Sequence, residues 1–90
     1  MSVYDEIQVE RGYQDSRWGT ANDDKFNTPW MWVAYIARYS TTWMNGQFLP
    51  VGDYAVNNFR ASMVKVAAIA VAAVESIDRQ RIVNGKTFYE

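Results

Sequence analysis

The 90 residues predict an all-α fold: a three-helix bundle with a long C-terminal helix, assembling as a homo-oligomer. Three observations carry that expectation. Helix start signals at Ser2, Thr28-Pro29 and Asn57 or Asn58, with stop signals at Trp18-Gly19, Asn45-Gly46 and Asn84-Gly85, bracket three segments. Hydrophobic residues are 49% and charged residues 21% of the chain, too apolar for a disordered segment, and the length suits a single domain over residues 1–90. A chain of this size buries only about 60% of the surface its unfolded form exposes. With no cysteine to staple it and an aromatic fraction of 16%, association with other copies or a partner is the remaining reinforcement.

The first helix is expected over residues 3–17. Ser2 can cap it with Asp5 three residues on, and Asp5 and Glu6 suit the positive end of the helix dipole. One side reads Val3, Ile7, Arg11, Gln14, Trp18, an apolar stripe interrupted by a guanidinium and an amide. Buried polar groups cost a few kcal/mol unless satisfied, so the stripe either faces a wet cleft or holds Arg11 and Gln14 on fixed partners.

A polar loop over residues 19–28 precedes Thr28-Pro29, an N-cap followed by proline at the first helical position. The second helix then reads Trp-Met-Trp-Val-Ala-Tyr-Ile-Ala over residues 30–37, apolar on every side. A small monomer can hardly surround such a helix. Trp30, Trp32, Tyr35, Tyr39 and Trp43 are therefore candidate interface residues, and the helix is expected to stop near Asn45-Gly46.

A loop over residues 47–56 leads to the third helix, expected from Asn57 or Asn58 to about Val83, roughly 40 Å long. Its expected inner stripe is Phe59, Met63, Val66, Ala67, Ala70, Val74 and Ile77, while Glu75 and Arg79 form an i,i+4 pair on the outer face. The tail after Asn84 is expected to fray or to dock through Phe88 and Tyr89.

Composition excludes several chemistries. Histidine is absent, so there is no imidazole base and no His-containing zinc site, and without cysteine there is no thiol nucleophile or thiolate metal site. Neither GxxxxGK[ST] nor GxGxxG occurs. A net charge of -1 gives no pull toward nucleic acid or an anionic membrane. The uncharged stretches 26–37 and 39–52 fall short of the roughly 20 apolar residues of a spanning helix, and Asp5 and Glu6 stand where a signal peptide would carry positive charge. The expected location is the cytoplasm.

A resemblance spans about residues 4–80. Glu10-Arg11-Gly12-Tyr13-Gln14-Asp15-Ser16-Arg17-Trp18-Gly19 resembles the ERxxQDxxWG opening of small MazG-like proteins, members of the all-α nucleoside triphosphate pyrophosphohydrolase superfamily that are frequent in phages. The run Trp32-Val33-Ala34-Tyr35-Ile36-Ala37 is similar to the family's second helix. Arg60-Ala61-Ser62-Met63-Val64-Lys65-Val66-Ala67-Ala68 and Glu75-Ser76-Ile77-Asp78-Arg79 resemble its RxxLVKxAA and ExxDR segments, and Asp23-Asp24-Lys25 resembles the loop of a phage-type sub-group.

The departures from the family pattern bear on function. Catalytic members hold Mg²⁺ with an EExxE motif that falls, in this register, on Arg38, Tyr39 and Thr42, and a further acidic pair falls on Ser62 and Lys65. The resemblance therefore implies a scaffold without its metal ligands and without a cofactor, because Mg²⁺-assisted hydrolysis loses the groups that hold the ion and its water. Arg11, Gln14, Trp18, Arg38 and Lys65 remain candidate ligand-binding residues, since cationic groups can bind phosphate without a metal. Alternatively, Arg38 and Lys65 pair with acids across a subunit interface. The expected function is a non-catalytic binding or interaction protein, phage-encoded by resemblance, that engages a host protein or sequesters a nucleotide-like ligand. The alternative is a divergent Mg²⁺-dependent pyrophosphohydrolase using Glu10, Glu75 and Asp78.

Overall fold

The computed structural model describes residues 2–18, 28–43 and 52–85. Within them the chain forms three α-helices and no strand: α1 (Val3–Trp18), α2 (Pro29–Ser40) followed by a 3₁₀ turn (Thr41–Trp43), and α3 (Gly52–Asn84). The expected loop at 19–27, the stop at Asn45-Gly46, the loop residues 47–51 and the tail 86–90 lie outside the described residues.

Local chemistry sets the helix ends. At α1, the Ser2 amide donates to Asp5 Oδ2 at 3.0 Å and the Asp5 amide donates back to Ser2 Oγ at 3.2 Å, a reciprocal box that satisfies two otherwise orphaned N–H groups. At α2, Thr28 Oγ1 accepts from the Met31 amide at 3.4 Å, with Pro29 at the position whose missing N–H costs nothing. The α-helical part of α2 stops earlier than expected. Ser40 Oγ donates to the Ile36 carbonyl at 2.9 Å and Thr41 Oγ1 to the Ala37 carbonyl at 2.8 Å, back-bonds that compete with the helix ladder where it tightens into the 3₁₀ turn. At the far end of α3, Gly85 takes φ +73° and its amide donates to the Arg81 carbonyl at 2.9 Å, the expected glycine stop.

The start of α3 differs from expectation. The chain enters through Gly52 at φ +83° and runs as helix straight through Asn57 and Asn58. Asparagine inside a helix costs only a few tenths of a kcal/mol relative to better formers, so its capping preference does not force a start. At 33 residues, α3 accounts for the 48 Å long axis and for a radius of gyration of 15.0 Å, against about 12 Å for a globule of this length.

Side-chain pairings give the directions. Trp43 meets Phe59, Tyr39 meets Lys65, and Trp32 packs with Ile69 and Ala72, so α2 runs antiparallel to α3. Glu6 meets Arg60 and Glu10 meets Lys65, so α1 runs parallel to it. Both shorter helices pack on α3, which is the spine of an up-down-up arrangement.

The buried face of α3 is not the expected stripe. Ala68, Ile69, Ala72, Ser76 and Gln80 are buried, whereas Ala70 and Val74 of the expected stripe are exposed. The helix is apolar all round over residues 66–74, so hydrophobicity alone does not select a face. Two polar residues complete the buried one: Gln80 Nε2 donates to Ser76 Oγ at 3.3 Å. The second helix is likewise one-sided within the chain. Trp32 is buried against Ile69 and Ala72 with Ile36 and Tyr39 beside it, but Trp30, Val33 and Tyr35 face outward.

Candidate functional site

The α1 stripe places its two polar interruptions against α3, and both have partners there or on α1 itself. Arg11 and Gln14 are buried. The Arg11 guanidinium donates to Glu75 Oε1 through Nε at 2.8 Å and Nη2 at 2.5 Å, and through Nη1 to Asp15 Oδ1 at 2.9 Å. Burial works against its charge, but the hydrogen bonds to Glu75 and Asp15 outweigh that and raise its pKa above the ordinary guanidinium value. Glu75 therefore turns toward α1 rather than lying on an outer face as expected.

Next to this cluster, Glu10 Oε1 accepts from Lys65 Nζ at 3.3 Å and from Gln14 Nε2 at 3.5 Å. The Lys65 ammonium also stands 5.9 Å from the centre of the Tyr39 ring, close enough for a cation–π attraction that ties α2 into the same seam. Further toward the start of α1, Arg60 grips Glu6 in a two-toothed pair at 2.8 and 2.5 Å. The Arg60 hydrogen bonds hold the Glu6 carboxyl below the ordinary carboxylate range and raise Arg60 in turn.

The seam is thus a ladder of matched charges. Of the candidate ligand-binding residues, Arg11, Gln14 and Lys65 lie together along it, each engaged with a carboxylate of the same chain. Arg38 is exposed on α2 and forms no ion pair among the described residues. Trp18 is the last residue of α1, and its side chain, like that of Thr42, lies outside the described residues. Among the described residues no three acidic side chains converge as a metal site would require, and Glu10 and Glu75 already face protein cations.

The candidate interface residues divide into two sets. Trp32 and Tyr39 belong to the α2–α3 packing, and Trp43 stacks edge-on to Phe59 at 5.4 Å between centroids. Trp30, at 78% exposed, stands on the outer side of α2 with Val33, and Tyr35 is partly exposed edge-on to Trp32 at 6.2 Å. Trp32 Nε1 is buried without a hydrogen-bond partner among the described residues, an arrangement that costs about 1–3 kcal/mol.

Sequence reasoning missed the acidic side of the seam. The roles of Glu6, Glu10 and Glu75 as partners for Arg60, Lys65 and Arg11 come from which faces of α1 and α3 meet. The available signal was the guanidinium and amide in the α1 stripe, which required compensation somewhere. No described helix is long and apolar enough to cross a membrane. No family model, curated protein or solved structure matches this chain.

Proposed function

We propose that this chain is a non-catalytic interaction protein, a MazG-like helical scaffold of phage type that works as a homo-oligomer in the cytoplasm and engages a host protein through the outer face of α2. The observation that carries the reading is the division of labour between two surfaces. The cations best placed to take a phosphate, Arg11 and Lys65, are committed to Glu75, Asp15 and Glu10, while Trp30 and Val33 stand in solvent on a helix whose other face is packed. Aromatic residues on an exposed helix face are favoured anchors for a protein partner, because they bury a large area at little conformational cost. The MazG-like register supports the loss of catalysis through Arg38, Tyr39 and Thr42, which supply no carboxylate.

The experiment has two arms. The tagged protein is exposed to host lysate beside a Trp30→Ala variant, and the untagged protein is titrated calorimetrically with a nucleotide panel and assayed for pyrophosphate release with Mg²⁺ or Mn²⁺. The expected result is one stoichiometric protein retained by the native chain and lost in Trp30→Ala, with no pyrophosphate released. Release of pyrophosphate abolished by Glu75→Gln overturns the reading in favour of a hydrolase. Saturable nucleotide binding lost in Arg38→Ala, with no protein retained, overturns it in favour of a sequestering protein.

A further inference from the structure

The long helix carries a second apolar line that the described chain covers only in part: Trp43 packs edge-on against Phe59, Met63, Val66 and Ile77 are half-buried, and Val56, Ala70 and Val74 stand exposed. Ala70 and Val74 each lie two residues from the buried Ala72, and so about 160° around the helix from it. Following that line toward the N-terminus passes Val66, Met63, Phe59 and Val56 at spacings of three and four, and toward the C-terminus it reaches Ile77. Every position on the line from 56 to 77 is uncharged and apolar, and Arg81 closes it. Val56 is 49% exposed and Val74 is 61% exposed, with Ala70 exposed between them. A surface helix normally puts charged residues opposite its packed side. This one repeats a three-and-four apolar pattern for about 32 Å, the pattern of a helix–helix seam.

One feature selects the occupant. Between Met63 and Ile77 the stripe is palindromic in size about Ala70: Val66 and Val74 lie four residues to either side, Met63 and Ile77 seven, with Ala67 adding a second small side chain near the centre. An antiparallel copy would therefore set Val66 on Val74 and Met63 on Ile77, with alanines at the crossing where the backbones come closest, and a two-fold interface requires this kind of self-complementarity.

We infer that two copies of this chain pair antiparallel through residues 63–77 of α3, with the two-fold axis at Ala70. The inference rests on the assembly part of the proposed function and specifies its surface. It leaves the outer face of α2 free for a different partner.

Single cysteines test it in a chain that has none of its own. A disulfide forms only where Cα atoms come within about 4.4–6.8 Å, so Ala70→Cys should yield a covalent dimer on mild oxidation. Met63→Cys should yield none alone but one when mixed with Ile77→Cys. Val74→Glu, at an exposed position that leaves the fold intact by circular dichroism, should weaken dimerisation more than about 100-fold by light scattering, because it buries an unpaired charge. Cross-linking of Met63→Cys to itself would mean a parallel pair and overturn the axis. A native dimer that neither cross-links through Ala70→Cys nor responds to Val74→Glu would overturn the α3 stripe while sparing assembly. A monomer at 100-fold dilution and at about 100 μM alike would overturn the dimer and assembly together.

Discussion

The Arg11–Glu75 pair offers the sharpest test of how the seam is held. Glu75→Gln keeps the shape of the side chain but replaces the anionic acceptor of two guanidinium hydrogen bonds with a neutral amide. The Arg11 side chain is only 7% exposed and would keep a single carboxylate, Asp15. Stranding one partner of a fully buried pair costs about 3–5 kcal/mol. Glu75 itself is 47% exposed, so water reaches one end of the pair and the expected cost falls to about 2–3 kcal/mol, the range for hydrogen bonds to charged groups. That is a large share of the roughly 5–13 kcal/mol a chain of this length commands. Arg11→Met should cost less, about 1 kcal/mol, because it leaves Glu75 and Asp15 where water can solvate them and fills the site with an apolar chain. In the double variant the two losses should not add. Urea denaturation followed by circular dichroism measures all three at constant m. If Glu75→Gln shifts the midpoint no more than Glu6→Gln does, or if Arg11→Met is the more damaging, the asymmetry between the buried cation and its half-exposed anion is wrong.

Other perturbations separate the seam from the caps and the apolar core. Folding lowers the Glu6 pKa through Arg60, so the contribution of this pair is complete above the unfolded carboxylate value near 4.5 and disappears as pH falls through the lower folded value; the stability gap between native chain and Glu6→Gln should close across that acid window in denaturation curves. Trp32→Ala should cost on the order of 3–5 kcal/mol by urea melts, because it empties the space between α2 and the buried Ile69 and Ala72, and a variant of native stability would mean that α2 does not pack there. Ser2→Ala and Thr28→Ala should each cost about 1 kcal/mol by removing a helix cap, read as a fall of several degrees in melting temperature, with no effect on the sizing profile.

The parts of the fold legible in the sequence were those decided by a few neighbouring residues. Ser2 with Asp5, Thr28 with Pro29 and Asn84 with Gly85 each bound a helix end where local chemistry said they would. What escaped was decided across the chain. Asn57 and Asn58 have the chemistry of caps, but a cap also requires the backbone to leave the helix, and here the helix continues back to Gly52. The face of α3 that packs could not be chosen by hydrophobicity, because the unburied stripe at Val56, Ala70 and Val74 is more apolar than the buried one containing Ser76 and Gln80. The candidate site was half legible. Arg11 and Gln14 announced themselves as polar residues needing partners, but Glu75, 64 positions along the chain from Arg11, has no local mark as the one that answers.

That inversion on α3 is physically informative. A helix normally spends its most apolar side on its own core, and α3 instead turns a mixed side, with Lys65, Ser76 and Gln80 among its alanines, toward α1 and α2. Matched polar groups contribute little net stability but penalise every misalignment, since a shift by one turn leaves Arg11 buried without its partner. The internal seam therefore sets register, and the uncharged stripe on the opposite side leaves Val56, Ala70 and Val74 exposed. The same division shows where the hydrophobic fraction of this chain goes: among the described residues only Trp32, Ala68, Ile69 and Ala72 form the buried apolar core, and Val56, Ala70 and Val74 stand exposed on the opposite side of α3.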